Sequence, residues 1–504
     1  CQLRLLVKLL KSGPSVFLEY RNSYIPTEQA KNVASTFDKI LTGVLLTPDC
    51  PIGKLDVLST RNKLQLEKWN SKPLEHEQTT IHGVILETVN SVPNDEAVCA
   101  WDGSFTYLEL YQHASKIASY LIELGVGPEV FVPLCFDKSK WNVVAILSVL
   151  MAGGAFIPLD PAYPEERKLH LIKAVNAKVL LCSRPHVEAL THLVENIIPI
   201  DSVAVELLPL KNGALESVVQ SSNVAYVIPT SGTTGTPKLT MIEHGNFCTN
   251  VKGHVPDLLM AASKPLRALQ FAAHTFDASV IENLTPLMVG GTVCIPDDHT
   301  RLNDIGKAMN DMRITWACLT PTFVRFLEPA MVPHLQNISL VGEAMSQATL
   351  DTWSKIGLAN GYGPSECAVA AVCNPKMTAT SDPKHIGYPT CCRAWVVDPE
   401  DHHRLLPVGC AGELLVEGFT VGRGYLNDPE KTAEVFLSNA PQWAGDRPFR
   451  GYLTGDLVIQ NIDGSFNYIG RKDSQVVCNC PRCLRNHLTF DLEIPRATYR
   501  TARN

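Results

Sequence analysis

The pattern of apolar and polar positions is clearest after Thr106. Leu110, Ala114, Ile117, Ala118, Leu121 and Ile122 fall on one helical face, and Gly125 closes the run. Thr106-Tyr-Leu-Glu109 opens it as a capping box, in which hydroxyl and carboxylate serve the amides that a helix start leaves free. Short apolar runs then alternate with helical stretches. Strands are predicted at Phe131–Phe136, Ala155–Leu159 and Lys178–Cys182, and helices at 138–152 and 164–176. This rhythm predicts a parallel sheet covered by helices, and it continues over 223–440. From 412 to 470 the pattern becomes short strands with glycine turns, an antiparallel or barrel-like piece. Before the body come a strand at Val16–Tyr20, a helix around 27–42, and a polar, proline-containing linker over 71–80. No internal repeat is found.

Composition narrows the class. The 504 residues amount to roughly three domains' worth at about 150 each. An apolar fraction of 45% with 19% charged residues excludes wholesale disorder. A net charge of −7 gives no global reason to bind nucleic acid or anionic lipid. The sixteen cysteines are scattered through apolar runs such as Val98-Cys-Ala100, which predicts reduced, packed thiols. The uncharged run 141–159 holds Asn142, Ser148, Gly153-Gly154 and Pro158, so it reads as buried helix, turn and strand rather than a membrane span. Residue 1 is Cys, and no cleavage site follows the apolar residues 1–10. The expectation is a cytoplasmic piece of a longer protein.

The chemistry starts at Tyr226-Val-Ile-Pro-Thr-Ser-Gly-Thr-Thr-Gly-Thr-Pro-Lys238. An apolar strand runs into a loop with Thr230, Ser231, Gly232, Thr233, Thr234 and Gly235, and ends in Lys238. Glycines let amides approach an anion, hydroxyls add donors, and the lysine adds charge, which suits triphosphate oxygens. The spacing is not that of a Walker loop. Gly361-Tyr-Gly-Pro-Ser-Glu366 sets an aromatic ring, a hydroxyl and a carboxylate on one turn, able to stack a base, touch phosphate and hold Mg²⁺. Tyr452-Leu-Thr-Gly-Asp456 ends a strand with an acid suited to ribose hydroxyls.

Taken in order, these segments resemble the adenylate-forming superfamily, and more narrowly the amino-acid adenylation domain of nonribosomal peptide synthetases. Further matching segments are Phe105–Leu110, Leu150–Pro161, Phe276-Asp-Ala-Ser279, Gly412–Gly418, Gly422-Arg-Gly-Tyr425, Tyr452–Leu457 and Gly470–Gln475. The resemblance implies an α/β fold: a large N-terminal subdomain of two helix-covered β-sheets plus a small β-barrel-like piece, without the small C-terminal subdomain. It divides the chain into a condensation-domain tail and linker (1–75), an adenylation core (76–470), and a hinge motif with an aberrant tail expected to be disordered (471–504). It implies ATP-dependent formation of an aminoacyl-AMP, with Mg²⁺, and transfer to phosphopantetheine on a partner carrier domain. Condensation and carrier domains are the expected partners, without nucleic acid or membrane.

Residue by residue, the resemblance gives the loop Thr230–Gly235 with Lys238 to the β- and γ-phosphates and stacks Tyr362 on adenine beside Gly363. It sets Ser365 at the α-phosphate, Glu366 on Mg²⁺, and Asp456 and Arg471 on ribose. Lys238 and Glu366 are the catalytic pair. Asp277 pairs with the substrate ammonium, because a buried carboxylate needs a cation. An acyl- or aryl-CoA ligase has no such need, so that alternative is disfavoured. As a bland reading, Asp277 would merely cap a helix. The side-chain pocket carried over by position is Ala278, Ile281, Cys318, Ser339, Val341, Gly361, Val369 and Ala370. None is charged, and the small residues at 278, 361 and 370 point to a bulky neutral side chain.

The sequence departs from the family in several places. Leu239 stands where the family has glycine; a left-handed backbone there would cost about 1–2 kcal/mol and distort the phosphate loop. After Val476 the family pattern breaks, as by a frameshift, a retained intron or a mis-predicted gene end. Lys472 is the last lysine, so none matches the one the family carries in its C-terminal subdomain. The expectation is an impaired enzyme, or alternatively an inactive fragment that only binds nucleotide and amino acid. No carrier motif is found, and His402-His403 lacks the Asp-Gly of a condensation motif. Cys478, Cys480, Cys483 and His487 have zinc-binding donors, but the spacing is unusual and the grouping reads as accidental.

Overall fold

A computed structural model describes residues 3–10, 13–208, 218–230 and 237–472. The expected alternation is realised as two large sheets. The first has seven strands in the order Gly424–Tyr425, Lys238–Glu243, Val224–Thr230, Ala155–Leu159, Phe131–Cys135, Val179–Cys182 and Asn196–Pro199. Its pairs are parallel from Val224–Thr230 onward, while Lys238–Glu243 turns back antiparallel. The second has 15 strands, all on one path except Phe436–Leu437, which pairs with Gly451–Gln460. Its parallel part runs from Glu96–Ala100 through Thr292–Ile295, Arg267–Leu269, Trp316–Leu319 and Asn337–Val341 to Gly357–Tyr362. From Val372–Asn374 onward the path is antiparallel, through Phe466–Arg471, Gly451–Gln460 and Ala411–Glu417. The glycine-punctuated stretch is therefore the antiparallel extension of this sheet.

The helices follow their sequence signals. Tyr107–Glu123 starts at the expected capping box: Glu109 N donates to Thr106 Oγ1 at 3.2 Å, and Thr106 N to Glu109 Oε2 at 2.8 Å. Gly125 follows its end at φ 85°, where glycine costs nothing. The uncharged run becomes the helix Lys140–Met151, Gly153 at φ 89° and the strand Ala155–Leu159. Every residue from Asn142 to Met151 is buried, as a helix apolar all round must be. The helix Ala278–Met288 is buried along its whole length too. Ile81, Leu121, Val144, Leu284 and Leu287 share one core cluster between these layers.

Ahead of the body, Leu3–Leu10 and Gly13–Tyr20 pair as a separate antiparallel hairpin, and the helix Thr27–Leu46 follows. The stretch 71–80 lies against the body. Glu77 N donates to Thr249 Oγ1 at 3.0 Å, and His76 stacks on Phe419 with ring centroids 4.4 Å apart. The described cysteines are free. Among the described residues no helix is long and apolar enough to cross a membrane. Leu239 overturns the expectation of a left-handed backbone. It lies in the strand Lys238–Glu243, opposite Pro229, with its side chain in the core, so no glycine is needed there.

Candidate active site

The residues expected to bind the amino acid come mainly from one helix start and three parallel strands. Asp277 precedes the helix Ala278–Met288, but its carboxylate does not cap it. Instead it accepts a hydrogen bond from Ser365 Oγ at 2.5 Å. Asp277 is 6% exposed. Burial pushes its carboxyl up to about 6; the Ser365 bond opposes the rise and the nearby Glu366 adds to it. Ala278 and Ile281 lie on the first turn. Cys318 pairs in register with Ser339, and Val341 with Gly361. Strand alternation then puts Trp316 and Cys318 with the helix residues Ala278 and Ile281, and Ala317, Leu319, Ile338 and Leu340 in a separate core on the other face. Val369 and Ala370 pack into the first of these clusters from the loop after Ser365–Cys367. The structure thus brings Ala278, Ile281, Cys318, Val341, Val369 and Ala370 into or against one core cluster, with Ser339 and Gly361 paired in register to Cys318 and Val341.

Leu258, which sequence reasoning missed, helps to shape this pocket. Its carbonyl accepts from Ser339 Oγ and Trp316 Nε1, both at 2.6 Å. A Cβ on Gly361 would meet Leu258 Cδ2 at 2.9 Å and Val341 Cγ1 at 3.0 Å. The space that glycine leaves is therefore already filled. No local pattern signals this, because Leu258 lies about a hundred residues from Gly361.

The residues expected to bind the nucleotide lie mainly where the parallel sheet meets its antiparallel extension. Tyr362 donates through its hydroxyl to Asp456 Oδ2 at 2.5 Å, and Tyr468 to Oδ1 at 3.3 Å. Arg471, paired in register with Asp456, has Nη1 3.6 Å from Oδ1 and donates to the Thr454 carbonyl at 3.2 Å. At Gly363 a Cβ would sit 2.1 Å from the Val369 carbonyl oxygen, so only glycine fits. Glu366, 7% exposed, accepts from the Tyr425 hydroxyl at 2.7 Å, and its backbone carbonyl accepts from Gly422 N at 2.7 Å. Lys238 Nζ lies 5.2 Å from the centre of the same Tyr425 ring. Tyr425 was part of a recognised motif, yet nothing local showed that it would join the lysine to the acid. Thr230 Oγ1 donates to the Lys238 carbonyl at 3.4 Å. Ser231, Gly232, Thr233, Thr234 and Gly235 lie outside the described residues, as do Cys478, Cys480, Cys483 and His487.

The donors fit a magnesium–nucleotide complex in one respect. Glu366 is a buried carboxylate with a hydroxyl partner and, among the described residues, no cationic one. Among those residues no group of three or more His, Cys, Asp or Glu could hold a metal ion alone. One carboxylate completed by substrate phosphates is an ordinary Mg²⁺ arrangement.

Helix-covered sheets, a buried acid at a helix start and an aromatic–acid pair agree with the AMP-binding enzymes. That family matches residues 85–426, and the chain belongs to it. Along nearly its whole length it is similar to part of fungal nonribosomal peptide synthetases. Nonribosomal peptide synthetase 1 of Aspergillus fumigatus is 45% identical over 511 residues, covering 99% of this chain and 8% of that protein. Nonribosomal peptide synthetase nlsA of Emericella nidulans is 45% identical over 482 residues, covering 94% and 7%. The chain therefore spans less than a tenth of the length of these relatives. A crystal structure of holo-AB3403, a four-domain nonribosomal peptide synthetase bound to AMP and glycine, matches with a TM-score of 0.78 at 25% identity, covering 94% of this chain and 35% of that one.

Proposed function

We propose that the chain activates a neutral amino acid as its aminoacyl-AMP within a nonribosomal peptide synthetase. The observation that carries this is Asp277, a buried carboxylate whose partner is a hydroxyl at 2.5 Å rather than a cation. A substrate ammonium supplies the missing positive charge. In the reaction an amino-acid carboxylate oxygen attacks the α-phosphorus of ATP. The bond to the β-phosphate oxygen breaks, and pyrophosphate leaves with that electron pair. Lys238 draws the β- and γ-phosphates, Tyr362 packs on adenine, Asp456 and Arg471 take the ribose, and Glu366 holds the magnesium complex. Mg²⁺ held by Glu366 would supply neutralisation of phosphate charge. Ser365 joins the two halves: its hydroxyl reaches Asp277, and its turn is the one assigned to the α-phosphate. The attacking oxygen and the phosphorus therefore meet within one residue's reach, which is how orientation lowers the barrier. In a second step a carrier-domain phosphopantetheine thiolate attacks the acyl carbon and AMP leaves.

The side chain proposed is neutral and bulky, as the sequence leads one to expect, with Leu258 and Val341 bounding the space beside Gly361. Neutrality stands, since no pocket residue is charged. The test is amino-acid-dependent pyrophosphate exchange across the twenty amino acids, with calorimetric titration of ATP·Mg²⁺. A neutral amino acid should rank first, and Glu366→Ala should abolish the magnesium dependence. Absence of any ATP heat, or a charged amino acid ranking first, would overturn the reading.

A further inference from the structure

Asn250 and His254 lie one turn apart on the helix His244–Asp257, and Thr285 lies on the helix Ala278–Met288. All three are fully buried. Their polar atoms form one chain. Thr285 Oγ1 is 2.9 Å from His254 Nε2, and His254 Nδ1 is 2.6 Å from Asn250 Oδ1. Asn250 Nδ2 donates to the Ala370 carbonyl at 2.5 Å and reaches the Cys367 carbonyl at 3.5 Å. Burial pushes His254 down to about 3, so its ring is neutral and carries one N–H. The partners fix which nitrogen holds it. An amide oxygen only accepts, so Nδ1 donates to Asn250 and Nε2 accepts from the Thr285 hydroxyl.

The chain ends on the most contorted backbone in the site. Between the two carbonyls held by Asn250 lie Ala368 at φ 56° and Val369 at φ 82°. Left-handed backbone is uncommon for any side-chain-bearing residue and a true outlier for a β-branched one. Such a turn persists only where its surroundings over-determine it. Ala371 N bonds the Tyr362 carbonyl at 2.9 Å on one side, and Asn250 holds the other. Apolar packing cannot orient a carbonyl; an amide donor can. The same turn carries Val369 and Ala370 into the amino-acid pocket and presses the Val369 carbonyl into the space above Gly363.

We infer that Asn250, His254 and Thr285 are positioning residues: they pin the strained turn 367–370 to both pocket helices and so set the wall that selects the amino acid. This rests on the function proposed above. Thr285→Val removes the hydroxyl at nearly constant shape, Thr285→Ser keeps it, and Asn250→Ala removes the last donor.

Two readouts on the full chain test the inference. The first is amide hydrogen exchange. Residues 367–371 should exchange at least tenfold faster in Thr285→Val and Asn250→Ala, and within twofold of the parent in Thr285→Ser. The second is calorimetric binding of 5′-O-(N-aminoacyl)sulfamoyladenosines carrying the neutral amino acids, beside AMP alone. Thr285→Val should weaken the best analogue at least tenfold and narrow its lead over the next, with AMP unchanged within twofold. Exchange and selectivity both unchanged in Thr285→Val and Asn250→Ala would overturn the inference. So would equal losses for AMP and the analogues, which would mark a general scaffold. A parent chain that binds AMP but none of the analogues would instead overturn the amino-acid reading, and the exchange rates alone would then decide whether the turn is pinned.

Discussion

Two sets of buried carboxylates in this molecule are treated in opposite ways. In the antiparallel extension, Glu417 is 1% exposed and is saturated with cations. It takes Arg447, Arg393 at 3.2 Å, and the Trp395 indole N–H at 2.8 Å. At the junction of the sheets, Glu243 is likewise held by Arg423 and Arg450, each at 3.0 Å. Asp277 and Glu366 are nearly as buried, yet each has a hydroxyl for a partner. A buried negative charge without a cation is costly, and folding alone gives no reason to keep two of them. The saturated acids complete the fold by themselves. The others fit the function proposed above, in which an ammonium would complete one and a metal–phosphate complex the other.

Breaking each set should have opposite signatures. Glu417→Ala leaves Arg393 and Arg447 without their counter-ion, so stability should fall by about 3–5 kcal/mol in chemical denaturation. Asp277→Asn should cost no stability, because it removes a buried charge that has no cation, but amino-acid affinity should fall about 10²-fold, about 2.7 kcal/mol. If Asp277→Asn lowers the melting temperature and spares affinity, the contrast between the sets fails. Glu366→Gln keeps an acceptor for Tyr425, so the fold should hold. The preference for ATP with Mg²⁺ over ATP without it should shrink by about tenfold, about 1.4 kcal/mol, in calorimetric titration.

What the sequence makes legible divides along the same line. Signals that live within one element are readable: the capping box at Thr106 and Glu109, the buried run 141–159, and the aromatic–hydroxyl–acid turn at Gly361–Glu366. Residues carried over from the family motifs, such as Cys318 with Ser339 and Val341 with Gly361, are brought together because parallel strand register aligns them. Partnerships made across elements leave no local trace. Nothing near Asn250 or His254 announces Ala370 or Thr285, and nothing near Leu258 announces Gly361. The surroundings of Gly361 are an example: a glycine in a sequence shows an absent side chain, not what stands next to it, and here Leu258 and Val341 do. Leu239 went astray through backbone. A glycine in the family does not prove a left-handed conformation here, where strand pairing with Pro229 makes leucine a core residue.

The subtlest difference between the two sets is one of proton affinity. In the native chain burial pushes Asp277 up to about 6, against an ordinary aspartate near 3.8. The native state therefore holds this proton more tightly than the unfolded chain does. Asp277 favours folding most below pH 3.8, and that contribution is lost as pH rises to about 6. Binding runs the other way, because only the carboxylate pairs with an ammonium, and the substrate amine stays largely protonated up to neutral pH. Amino-acid affinity should then rise about twofold between pH 6 and pH 7, and fall toward tenfold per unit well below pH 5. Asp277→Asn should abolish this dependence and leave a weak, pH-independent affinity. Measuring affinity by calorimetry at half-unit steps from pH 5 to pH 7.5, in the parent and in Asp277→Asn, separates this titration from any other. A parallel slope in both proteins would assign the proton to another group and remove Asp277 from the ammonium site.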